Sequence, residues 1–166
     1  MPVRLAFRRI LALLVEQRHA AKAAGRLCPL KILVATAEPV ARRQLSAAVR
    51  RLGHSATVVG DGPRAVALCR AHRFDLVLVD VPSLGLDGLV ATRAIRAGGG
   101  PNETIAIAAL IAHLSAERQR FFDRAGLNHF MAKPIDQAQL ADLLAGLAEQ
   151  RVVVRACSAE RTERAN

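Results

Sequence analysis

Two residues far apart in this sequence carry its most reactive chemistry. Asp80 closes the apolar run DLVLVD at 75–80, and Lys133 stands fifty-three residues later, directly before Pro134. A carboxylate at the end of an apolar run can serve as a nucleophile, a metal ligand or an ion-pair partner. An ammonium brought to the same place can neutralise that carboxylate or pair with a charged group attached to it. Whether the two meet depends on the elements that carry them.

From Lys31 onward, short apolar runs alternate with helical patterns. Ile32–Ala35, Ala56–Val59, Leu76–Val79 and Ile105–Ile111 read as strands, and His129–Ala132 as a weaker fifth. Their apolarity is continuous rather than alternating, which means burial on both faces, as in a parallel sheet. The segments between them read as helices. Pro39 suits a first turn and Gly53 a stop, with Leu45, Ala48, Val49 and Leu52 forming an inward stripe. Asp61 caps a second helix carrying Val66 and Cys69. A third opens at Gly88 and ends at Gly98-Gly99-Gly100-Pro101. A fourth begins at Ser115, contains Phe121 and Phe122, and ends near Gly126. Asp136 and Gln139 form a capping box for the fifth, which lines one face with Leu140, Leu143, Leu144 and Leu147. Five strands alternating with five helices predict a doubly wound α/β sandwich over residues 31–148. In such a sheet the chemistry lies beyond the carboxyl ends of the strands. Thr36, Ala37, Asp80, Ile111 and Lys133 fall there and are one constellation.

Composition sets the bounds. The chain has 166 residues, 52% of them apolar, with neither Trp nor Tyr, so one domain with an aliphatic core is expected. The formal charge of +10 is uneven: residues 1–31 hold seven Lys and Arg against one Glu. Val3, Phe7, Ile10, Leu11 and Leu14 recur there at helical spacing, so residues 1–30 read as a basic amphipathic helix or linker. It can pack on the domain or on a second copy, or lie on an anionic membrane surface. Nucleic acid is disfavoured, because no aromatic interleaving or DNA-binding motif accompanies the charge. Residues 149–166 read as a polar, disordered tail. Cys28, Cys69 and Cys157 have no metal-binding spacing and suit a reducing cytoplasm. No run approaches the roughly 20 apolar residues of a membrane span. His54, His72, His113 and His129 lack ligand spacing, and Gly98–Gly100 is not followed by a helix start as in a phosphate loop.

Five pieces in order resemble the receiver domain of two-component response regulators, above all the form attached to hybrid histidine kinases. Ile32-Leu33-Val34 is similar to the first strand, and Glu38-Pro39 with Arg42-Arg43 to the start of the first helix. Asp80-Val81 followed by Gly85-Leu86-Asp87-Gly88 resembles the phosphoacceptor strand and its loop. Ala91–Arg96 resembles the third helix. Phe130-Met131-Ala132-Lys133-Pro134 resembles the fifth strand with its aromatic switch position, lysine and proline, a junction where the family implies a cis peptide. The resemblance covers about 31–148 and implies a flavodoxin-like (βα)5 three-layer sandwich with strand order 2-1-3-4-5. It also implies transfer of a phosphoryl group from a histidine to Asp80, with Lys133 as its partner and Mg²⁺ held by an acidic pair after the first strand.

This sequence departs from that pattern where the metal would sit. The acidic pair falls on Thr36 and Ala37, the hydroxyl position after the fourth strand on Ile111, and the usual loop proline on Leu84, with Pro82 two residues after Asp80 instead. Mg²⁺ wants carboxylate oxygens, and only Asp80 remains, with Glu38 one position too late and Pro82 a weak candidate. Asp80 therefore has two readings, a phosphoacceptor or a fixed latch paired to Lys133, with Ile111 and Phe130 as the switch pair. The expectation is a pseudo-receiver: a cytoplasmic signalling module, not an enzyme, working by protein–protein interaction with weak or no phosphorylation and no cofactor. Mg²⁺ enters only if Asp80 is phosphorylated. The resemblance implies a histidine kinase or histidine phosphotransfer domain as partner, met by the first helix and its adjoining loop. A homodimer through the fourth-helix, fifth-strand, fifth-helix face is the other interaction it implies. The alternative is an active phosphoacceptor, and a second is membrane or nucleic-acid binding through the basic segment.

Overall fold

The computed structural model describes residues 29–81, 86–112 and 116–163, with side chains for all of these except 86–87, 116–118 and 152–163. The expectations for residues 1–28, for Pro82 and Leu84, and for a cap at Ser115 lie outside the described residues. The chain divides into two compact units, Pro29–Leu144 and a second made of Met1–Cys28 with Ala145–Asn166. The sheet and the cleft belong to the first.

Among the described residues, ten elements follow in strict alternation: β1 (Lys31–Ala35), α1 (Pro39–Arg51), β2 (Ser55–Val59), α2 (Gly62–Ala71), β3 (Leu76–Asp80), α3 (Leu86–Ala97), β4 (Ala106–Ile111), α4 (Ala116–Arg124), β5 (His129–Ala132) and α5 (Gln137–Glu163). The strands form one parallel sheet in the order β2-β1-β3-β4-β5, the flavodoxin-like order. Its three central strands are buried almost throughout, while the edge strand β2 alternates between exposed and half-buried positions. Successive side chains point to opposite faces. Leu33, Ala35, Val77, Val79, Ile107 and Ala109 share one cluster with Ala65 and Cys69 of α2, Leu89 and Ile95 of α3, and Phe122 and Ala125 of α4. The intervening Ile32, Val34, Leu76, Leu78 and Leu110 face the other layer, which buries Leu45 and Val49 of α1 and Leu140 and Leu144 of α5.

Helix ends follow the local chemistry. Asp61 Oδ1 accepts from Arg64 N at 2.7 Å, and Asp136 Oδ1 from Ala138 N at 2.9 Å. Pro39 opens α1, and Gly53 follows it at φ +85, a conformation costly for residues with a Cβ. Three expectations need correction, the first being Leu52, which is the exposed C-cap residue of α1 rather than part of its inward stripe. The third helix starts at Leu86 rather than Gly88, which lies buried in its first turn and accepts from Thr92 Oγ1 at 2.9 Å. The last helix runs to Glu163, where a disordered tail from 149 was expected. Residues 148–163 contain no Gly or Pro and carry three each of Ala, Arg and Glu, so no helix breaker stops a helix already begun.

At the N-terminal rim of the sheet, side chains tie every neighbouring pair of strands. His54 Nδ1 accepts from Leu30 N at 3.2 Å beside the β2–β1 pair. Asp75 Oδ2 accepts from Lys31 N at 2.7 Å between β3 and β1. Asn102 is buried ahead of β4. It accepts from Phe74 N at 2.9 Å and donates to the carbonyls of Cys69 and His72 at 2.6 Å each. Asn128 Oδ1, ahead of β5, accepts from Ile107 N of β4 at 3.0 Å and from Arg96 Nη2. The Arg96 guanidinium also donates to the carbonyls of Glu103, Ile105 and Gly126. Burial among these neutral acceptors lowers its pKa.

Candidate functional site: the cleft at the carboxyl ends of the strands

Register brings the site together. β1 and β3 pair with Ala35 beside Val79, so the next residues, Thr36 just past β1 and Asp80 at the last position of β3, lie side by side. β4 and β5 pair with Ile111 beside Ala132, which sets Lys133 one residue beyond, its N–H donating to Ile111 O at 2.9 Å. The Lys133–Pro134 peptide is cis.

Asp80 is fully buried, and its Oδ2 accepts two hydrogen bonds. Lys133 Nζ donates at 2.7 Å, with the lysine side chain 27% exposed, and Thr36 Oγ1 donates at 2.9 Å. Thr36 is itself fully buried, and its hydroxyl oxygen accepts from Glu38 N at 3.2 Å. The result is a relay: the Glu38 amide to the Thr36 hydroxyl, the Thr36 hydroxyl to the Asp80 carboxylate, and the Lys133 ammonium closing it from the other side. The Lys133 ammonium and the Asp80 carboxylate thus form an ion pair of one positive and one negative charge. Removing either member leaves the other charge uncompensated in a poorly solvated place.

The other predicted site residues fall around this pair. Ala37 is exposed and carries no donor atom on its side chain. Glu38 is the N-cap residue of α1, without a side-chain cap bond, and its exposed side chain lines a groove with Lys133, Pro134, Ile135 and Leu45. Ile111 is buried at the end of β4 and is apolar. Phe130 is half-buried and stacks on Phe122 of α4, with centroids 5.9 Å apart at 28°. Phe122 in turn meets the exposed Phe121 at 6.0 Å. Cys69 is a buried thiol whose pKa burial pushes up to about 11, which leaves it protonated and unreactive at neutral pH.

Among the described residues, the donor set does not fit a divalent cation of the kind the receiver resemblance implies. Asp80 is the carboxylate at the centre of the cleft, and its Oδ2 is engaged by an ammonium and a hydroxyl. No group of three or more His, Cys, Asp or Glu side chains suited to a metal ion occurs among the described residues. Hard cations such as Mg²⁺ need several oxygen ligands and shed water reluctantly.

The role of Thr36 as a hydrogen-bond donor to Asp80 escaped the reading of the sequence, which registered only that it lacks charge. The available signal was register: in a parallel β1–β3 pair, residues following Ala35 and Val79 must be neighbours.

This fold and cleft define a class. The response regulator receiver domain matches residues 32–145, and the chain belongs to that family. Among curated proteins it is similar to the sensor protein GacS of Pseudomonas syringae pv. syringae, 37% identical over 95 residues covering 56% of this chain and 10% of GacS. It is also similar to the transcriptional activator PfeR of Pseudomonas aeruginosa, 34% identical over 112 residues covering 66% of this chain and 35% of PfeR. The chain thus spans a minor part of the length of these relatives. Among solved structures it matches the receiver domain of sensor histidine kinase PA1611 from Pseudomonas aeruginosa PAO1. That match has a TM-score of 0.65 at 34% identity over 74% of this chain and 99% of the other, and the PA1611 crystal has a magnesium ion coordinated in its active-site cleft. Chemotaxis protein CheY4 of Vibrio cholerae shares the fold, with a TM-score of 0.67 at 22% identity over 72% of this chain and 99% of the other. Receiver domains are regulatory modules of two-component signalling. No helix among the described residues is long and apolar enough to cross a membrane.

Proposed function

We propose that this chain is a pseudo-receiver: a cytoplasmic protein–protein interaction module of a two-component pathway whose message is carried by conformation, with weak or no phosphorylation of Asp80. The observation that carries this reading is the state of Asp80 Oδ2, buried and bonded to both Lys133 and Thr36. Phosphoryl transfer is mainly positioning and charge compensation, supplied in large part by a metal. Here the acidic pair is replaced by Thr36 and Ala37, and Ile111 cannot hydrogen-bond a phosphoryl oxygen. The partner is a histidine kinase or histidine phosphotransfer domain, a reading supported by the similarity to receivers of sensor kinases. Its contact surface is α1 with the β5–α5 junction, where Glu38, Gln44, Arg51, Ile135 and Gln137 line the groove beside Lys133.

Incubating the protein with acetyl phosphate and MgCl2, followed by intact mass measurement, tests the reading. The expected result is an unmodified mass. A phosphoryl adduct that disappears in Asp80→Asn would overturn it in favour of the second reading, an active phosphoacceptor. That alternative draws its support from the retained Asp80 and Lys133 and from the magnesium-bound cleft of the PA1611 receiver.

A further inference from the structure

We infer that Thr36 is the positioning residue of this cleft: its hydroxyl holds the Asp80 carboxylate where a receiver would use a divalent cation, and couples that carboxylate to the start of α1. This deepens the pseudo-receiver reading and rests on it. Thr36 is fully buried and works in both directions at once, donating to Asp80 Oδ2 at 2.9 Å and accepting from Glu38 N at 3.2 Å. Together with Lys133 it puts two donors on one carboxylate oxygen. A hydroxyl–carboxylate bond is charge-assisted and short-ranged, and it fixes direction as well as distance. A cation bound by carboxylates would attract Asp80 strongly but repel Lys133. The hydroxyl attracts Asp80 without opposing the lysine.

The second half of the inference concerns what the relay touches. Glu38 is the N-cap residue of α1, and its side chain makes no capping bond. Its amide is instead held by Thr36, so the position of Asp80 is passed through one hydroxyl to the first turn of α1. Glu38 and Lys133, the two ends of the relay, both line the groove between α1 and the start of α5. The cleft and the groove are therefore linked through Thr36.

The test uses the full chain with Thr36→Ser, Thr36→Val and Thr36→Asp. Amide hydrogen exchange at Glu38 and the thermal midpoint in MgCl2 against KCl of equal ionic strength are measured for each. Native protein and Thr36→Ser are expected to protect the Glu38 amide and to show no magnesium-dependent shift. Thr36→Val should exchange Glu38 about fivefold faster or more, the loss of one net hydrogen bond, again with no magnesium response. Thr36→Asp places a second carboxylate beside Asp80 and should gain a magnesium-dependent rise in midpoint. Unchanged Glu38 exchange in Thr36→Val would overturn the relay, and so would a native magnesium shift as large as that of Thr36→Asp. If Thr36→Val does not fold, the comparison of native, Ser and Asp forms in magnesium still decides the matter. A phosphoryl adduct on Asp80 with the Glu38 results intact would sink the pseudo-receiver reading and leave the positioning role standing.

Discussion

Replacing Lys133 with methionine removes the ammonium that sits 2.7 Å from a carboxylate with no solvent exposure. Methionine keeps most of the side-chain volume, so the loss reports charge rather than packing. Breaking a buried ion pair by deleting one partner costs about 3–5 kcal/mol. Two features reduce that here. The lysine side chain is 27% exposed, so the pair is partly solvated already, and Thr36 still donates to Oδ2. A loss of about 2–4 kcal/mol remains, or about 10 °C in Tm for a chain of this size. Because the chain has no Trp or Tyr, the assay is urea denaturation followed by far-UV circular dichroism. Asp80→Asn removes the stranded charge while keeping an acceptor for Thr36. The double variant should therefore recover stability, with a coupling energy of at least about 1.5 kcal/mol. If Lys133→Met unfolds within about 0.5 kcal/mol of native, or if the two substitutions simply add, the pair is not what holds the cleft.

Two further outcomes concern the opposite rim. Asn102→Asp is isosteric but turns a two-fold donor toward the carbonyls of Cys69 and His72 into an acid. It should cost about 2–4 kcal/mol at neutral pH. Burial against two carbonyls raises the new carboxyl's folded pKa above its unfolded value, so the variant should regain stability as pH falls and lose it as pH rises. Denaturation at pH 5 and pH 8 checks this, and a curve parallel to native would contradict it. His54 accepts from Leu30 N through Nδ1, and burial holds its pKa below the usual 6.5, partly opposed by Asp75. The unfolded chain thus binds the proton more readily. The contribution is complete above pH 6.5 and is lost as pH falls below that value toward the folded pKa. Subtracting the stability profile of His54→Asn from that of the native protein should isolate this loss. A flat difference between pH 7 and 5 would contradict it.

Much of the fold was legible because burial on both faces writes itself as uninterrupted apolar runs. Leu76–Val79 and Ile105–Ile111 could be little else, and Pro39, Gly53, Asp61 and Asp136 marked helix ends by backbone chemistry that acts locally. The boundaries that failed were those without such a signal. Gly88 looks like a break yet tolerates a helical turn, and the polar composition after Glu149 looked like a tail although every residue there is helix-competent. At the site, Asp80, Lys133 and Ile111 could be placed from the order of strands alone. The Thr36–Asp80 bond could not, since it joins residues 44 apart and depends on the pairing register of β1 with β3. Arg96, Asn102 and Asn128 were invisible for another reason: most of their partners are backbone atoms, which no residue type betrays.

Every adjacent pair of strands is fastened where the strands begin, through His54, Asp75, Asn102 and Asn128. Assembly of the sheet is thereby secured on the side remote from the reactive residues. These ties between strands therefore do not involve Thr36 or Ala37 at the strand exits, and the scaffold's fastening is separate from the side chains that set the cleft's chemistry.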